Sequence, residues 1–122
     1  MPVRLRTTIH WLARVLVALG VLAAGLSKFS AGSGWAGRFH DWGYAPWFLT
    51  VVAVTEIVGA IGLLVPRAFR VATALLLLVL VGAAGTHLIH HQSLQILRPA
   101  AYLAVLALAW WTGPPLASVT KA

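Results

Sequence analysis

The stretch APWFLTVVAVTEIVGAIGLLV, Ala45 to Val65, decides the fold. Its 21 residues are apolar, small or hydroxylated, with one charge, Glu56, in the middle. About 20 such residues are what a helix needs to cross the roughly 30 Å hydrocarbon layer of a bilayer. A carboxylate at that depth is costly and normally faces a partner or a cavity. Glu56 is one of only two acidic residues in the chain, so the interior it faces has to supply a cation or a proton.

Three further apolar runs lie around it, at residues 8–26, 69–88 and 96–112. With residues 45–65 they predict an all-α, four-helix transmembrane bundle. Pro66-Arg67 leaves so short a turn between the second and third runs that they form an antiparallel hairpin. Gly113-Pro114-Pro115 stops the last helix. If both termini share one side, that side carries Arg4, Arg6, Arg67, Arg70 and Lys121, against Lys28, Arg38 and Arg98 opposite. The bias predicts that the N and C termini are cytoplasmic.

The whole composition agrees. Of 122 residues, 61% are hydrophobic and 9% charged, where a soluble domain carries about a quarter charged residues. The length suits a single domain over 1–122. The net charge of +7 comes from basic residues placed singly at the ends of apolar runs, a pattern of membrane anchoring rather than of nucleic-acid binding. Cysteine is absent, which excludes disulfides, thiolate metal ligands and thiol chemistry by this chain. Arg14 interrupts the first run, which therefore reads as an uncleaved helix rather than a secretory signal. In the Ser27–Tyr44 connection, Trp35, Phe39 and Trp42 are spaced to share one face of a short helix. Either that face lies in the lipid headgroup layer, with Arg38 and Asp41 toward water, or the segment is a loop folded over the mouth of the bundle.

Helical rise gives depths. Glu56 is eleven residues from Arg67, so roughly 16 Å above that boundary. The same rise puts Arg14 at roughly 12 Å and Tyr102 at roughly 14 Å. Arg14, Glu56 and Tyr102 are therefore expected to form a buried polar centre, with Arg14 pairing Glu56; a structural ion pair and a role in proton or ligand handling both fit. Arg14, Ala18, Val21, Gly25 and Lys28 make one stripe on the first helix. His87 follows the small residues Gly82 to Gly85 on the third. Lys28 and His87 are thus a second candidate site, for contact with a ligand or partner. Snorkelling of Lys28 and a wet helix end at His87, His90 and His91 are the plain alternatives. No metal site is expected, and no histidine pair faces across at a matching depth as haem would require. No nucleophile, phosphate-loop or electron-carrier motif is present, so autonomous catalysis is not favoured.

Gly25-Leu26-Ser27-Lys28-Phe29 resembles the G-x-x-K-[LF] signature of the DoxX-like membrane family. Glu56 to Arg67, EIVGAIGLLVPR, is similar to that family's second-helix block, and Gly82-Ala83-Ala84-Gly85-Thr86-His87 to its third-helix G-A-x-x-T-H ending. Arg14 falls where the family tends to carry an arginine. The resemblance spans roughly Trp11 to Thr112. It implies a four-helix integral membrane protein, and namesakes linked to quinone-coupled oxidation and to membrane complexes handling oxidative or thiol stress. The expected role is an accessory or partner subunit of a quinone-linked redox system in a bacterial inner membrane, with a quinone-like ligand, a redox-complex partner or a homo-oligomer. The alternative is a transporter or channel component that uses Glu56 as a protonatable group.

Overall fold

A computed structural model describes residues 1–114. In chain order the helices are α1 (Val3–Ser27), α2 (Trp35–Asp41), α3 (Pro46–Leu64), α4 (Phe69–Ile89) and α5 (Leu97–Thr112), with single 3-10 turns at Ala31–Ser33 and Pro66–Ala68. The chain is all-α over the described residues. Three helices are long and apolar enough to cross a membrane: α1, α3, and α4 together with its preceding turn. The fourth, α5, has 16 residues, a length of about 24 Å.

Local chemistry sets the boundaries. Ala45 is extended and Pro46 opens α3 at its first position, where a missing N–H costs nothing. Val65 is extended before Pro66, as the proline ring requires of its predecessor. One turn later α4 begins, so α3 and α4 form the expected hairpin. Glycines let the two approach. A Cβ on Gly62 would lie 2.8 Å from Ala72 Cβ, and one on Gly59 2.6 Å from a Leu76 methyl.

The long helices close into a ring in which α1 packs on α3 and α5, and α4 completes the circuit between them. Val17, Val21, Leu63, Leu76 and Leu106 fill its centre and are almost wholly buried. The outer faces are apolar too: Leu12, Leu16 and Leu19 on α1, Val54, Val58 and Ile61 on α3, and Leu78 and Val81 on α4 are all exposed. A helix hydrophobic all round belongs in lipid.

The Trp35–Trp42 segment forms a short helix, α2, rather than a loop, and it folds over the bundle. Helix α2 packs against α3, Phe39 is buried, and its ring meets those of Tyr44 and Phe48 at 5.6 and 6.1 Å. Arg38 and Asp41 remain exposed. The bundle thus has a loop end, covered by α2, and a termini end, where α1 starts and α5 stops.

Candidate functional site

Glu56 is buried in the middle of α3, and its partner is Lys28. The ammonium Nζ lies 2.6 Å from Oε1, and both side chains are almost fully buried. Lys28 is the residue that ends α1. Side chains on a helix lean toward its N-terminus, so Lys28 bends down into the bundle. Helix α3 runs the opposite way, and Glu56 leans up to meet it. Gly25 makes the meeting close: a Cβ there would lie 3.1 Å from the Ala53 carbonyl oxygen and 3.2 Å from Glu56 Cβ.

Aromatic and hydroxyl groups cover the pair. Lys28 Nζ sits 4.0 Å from the centre of the Trp35 ring and 3.4 Å from the Ala24 carbonyl. Trp35 donates its indole N–H to Ser27 Oγ at 3.0 Å, and Ser27 donates to Ala24 O at 2.7 Å. Gly34, with φ of +81°, reverses the chain just before Trp35 and so lays the indole back over Lys28. At 2.6 Å the ammonium and the carboxylate make a close, charge-assisted contact.

Arg14, expected opposite Glu56, lies elsewhere. Its Nε donates to Leu63 O at 2.6 Å and one terminal nitrogen to Val65 O at 3.1 Å. These are carbonyls that α3 leaves open at its C-terminal end. The other terminal nitrogen donates to His10 Nε2 at 3.1 Å, and the guanidinium lies 3.9 Å from the Trp11 ring centre and 4.6 Å from that of Phe69. The same lean that brings Lys28 to Glu56 carries Arg14 toward the termini end, away from it. Tyr102, the third member of the expected centre, packs its ring against Gly20 of α1. Among the described residues no hydrogen bond or ion pair joins it to Arg14 or Glu56. Equal Cα depth therefore did not mean contact.

His87 and Lys28 are likewise not joined. His87 donates from Nδ1 to Gln92 Oε1 at 2.9 Å and meets the edge of Trp42 at 5.4 Å between ring centres. Beside it, Thr86 donates to Gly82 O at 2.9 Å, which leaves Thr86 Oγ1 to accept from Tyr44 O–H at 2.6 Å. His87 thus belongs to an aromatic patch with Trp42 and Tyr44, while Lys28 belongs to Glu56. No cluster of three or more His, Asp or Glu side chains that could hold a metal occurs among the described residues. Trp35 is the member of the site that sequence spacing missed, because its place over Lys28 depends on the left-handed turn at Gly34.

The matches to known proteins fit this geometry. The model of the DoxX-like family covers residues 12–109. No curated protein and no solved structure matches the chain. The matched region contains Gly25 and Lys28 of the first resembling motif and Glu56 and Gly59 of the second. Their spacing has a physical reason: the glycines admit the neighbouring helix and the charges then close on each other. With its lipid-facing helices, this small integral membrane protein belongs to the DoxX-like family.

Proposed function

We propose that the protein is a partner subunit of a quinone-linked redox system in a bacterial inner membrane, with the Lys28–Glu56 pair as the group that meets a ligand or a partner. One observation carries this reading: a Lys28–Glu56 ion pair buried inside the bundle, with Trp35 of the short helix α2 lying against the ammonium. A quinone-like carbonyl or a partner's polar group entering beneath the indole would find an ammonium donor there, and Glu56 would hold the charge in place. On the outer face of α3, turned away from Glu56, Trp47, Thr50, Val51, Val54 and Thr55 line a shallow, mostly apolar groove of about 520 Å3, a separate lipid-facing surface for an apolar tail. His87 and Trp42 extend the polar-aromatic surface at the same end.

In this reading α1, α3, α4 and α5 all cross the membrane with both termini cytoplasmic. Reporter fusions at the C-terminus and within Gly32–Gly34 then give opposite sides; the same side for both would mean that α5 does not cross. The functional test is purification in a mild detergent, with mass spectrometry of extracted quinones and co-purifying proteins. The wild type should retain such a species and the Lys28→Met/Glu56→Gln double variant, which keeps the packing but removes the charges, should lose it. Retention by both, or by neither, would remove the reading.

A further inference from the structure

A second polar cluster, unconnected with the first, lies at the termini end. There a cleft of about 40 Å3 opens where α4 begins, walled by Arg14, Arg67, Arg70, His10, Phe69 and Trp110 among others. Among the described residues three arginines line it and no carboxylate does. The sequence has two acidic side chains; Glu56 is taken by Lys28, and Asp41 is on α2 at the loop end. His10 adds no charge. It donates from Nδ1 to Ala109 O at 2.7 Å, and its Nε2 has to accept from Arg14, so the ring is the neutral tautomer.

The three arginines are prepared to different degrees. Arg14 is fixed by the α3 carbonyls and supplies an immobile positive charge. Arg70 lies with its guanidinium 4.6 Å from the Trp110 ring centre, and its Nε is buried without a hydrogen-bond partner. Arg67 is exposed at the rim. The turn Pro66–Ala68 runs straight into α4, and neither has a side-chain cap or an acidic residue in its first turn, so the positive end of the helix dipole is left uncompensated there. Uncompensated charge, a buried unpaired donor and the positive end of a helix converge on one space. That space is about three times the ~10–15 Å3 that one water needs, which suits the oxygens of a single phosphate.

We propose that this cleft binds a phosphate monoanion, from the headgroup of an anionic phospholipid or from solution, on Arg67, Arg70 and the start of α4, with Arg14 as the fixed charge behind them. Trp110 at the rim is the residue type expected at headgroup level. The site does not depend on the redox reading, because it shares no residue with the Lys28–Glu56 pair.

The test follows the thermal midpoint of the detergent-solubilised protein during titration with phosphatidylglycerol, phosphatidylcholine or inorganic phosphate. Phosphatidylglycerol should stabilise saturably and at far lower concentration than phosphatidylcholine. Arg67→Gln and Arg70→Gln should each weaken the response about fivefold, whereas Arg4→Gln, which removes the same charge at the same end outside the cleft, leaves it unchanged. Stabilisation by inorganic phosphate that the two cleft variants also lose identifies the free ion as the ligand; stabilisation by phosphatidylglycerol alone identifies the lipid. Equal responses to the two lipids with no effect of inorganic phosphate would overturn the proposal, as would an Arg4→Gln loss as large as that of the cleft variants. Should Arg70→Gln fail to fold, the exposed Arg67→Gln decides the matter.

Discussion

Removing one charge of the Lys28–Glu56 pair is the most direct probe of this bundle. At 2.6 Å two unit charges attract by about 6 kcal/mol at an effective dielectric of about 20. Much of that is offset by the cost of bringing both groups out of water, so the net value of the intact pair is small. Breaking it is different, because one buried charge is left alone, at a cost of about 3–5 kcal/mol. Lys28→Met and Glu56→Gln should each be destabilised by that amount, while the double variant recovers most of it. The coupling in a double-mutant cycle is then more than about 3 kcal/mol. Unfolding in mixed micelles of increasing sodium dodecyl sulfate, followed by tryptophan fluorescence, measures all four proteins. Simple additivity of the two single losses would refute the pairing. A parallel cycle between Arg14→Met and Glu56→Gln is expected to be additive, since Arg14 is bonded to backbone carbonyls two turns away.

Two further predictions rest on the helix contacts. Arg14→Met leaves the Leu63 and Val65 carbonyls without their donors and should cost about 1–3 kcal/mol for each acceptor left buried and unpaired; Arg14→Lys should recover only part of this, because one ammonium cannot reproduce the fork to both carbonyls and His10. Both are read in the same micellar unfolding assay, and full recovery by lysine would contradict the forked geometry. Gly25→Ala places a methyl 3.1 Å from Ala53 O and 2.9 Å from Ile57 Cγ1, so α1 must retreat from α3 at a cost of about 1–3 kcal/mol, whereas Gly82→Ala meets nothing within 4 Å and should stabilise α4 by about 0.4–1 kcal/mol. Equal effects at the two glycines would show that α1 and α3 do not approach as closely as described.

Most of the helix plan was legible in the residues. Pro66 marked the α3–α4 turn because its ring dictates the backbone on both sides, and the run around Glu56 had only one environment that suited it. Lys28, Gly25 and Arg14 also fell on the stripe that faces α3. Their partners were not legible. Depth counted along a helix locates Cα atoms, but Arg14 and Lys28 have arms long enough to reach a full turn away, and the lean of each side chain depends on which way its helix runs. The expected Arg14–Glu56 pair failed for this reason, and the Lys28–Glu56 pair was hidden by it. Trp35 was missed because its place depends on Gly34 adopting a left-handed conformation, and a glycine permits that without announcing it. The reach of α1 back to Val3 exceeded the apolar run, since arginines at a helix end are compatible with helix even where they are unsuited to lipid.

Biogenesis inherits an order from the same ion pair. On the insertion scale, an acidic residue at the centre of a segment penalises its entry into lipid by about 2.5–3.5 kcal/mol, and α3 carries Glu56 there. Helix α1 leaves the ribosome first, and by the time α3 follows, its Lys28 is already stationed at the far end of a helix with which α3 will pack. The cost of admitting Glu56 falls as soon as the two helices touch. Helix α3 is apolar enough to enter the bilayer by itself, but the helix synthesised before it lowers the cost of its one charge.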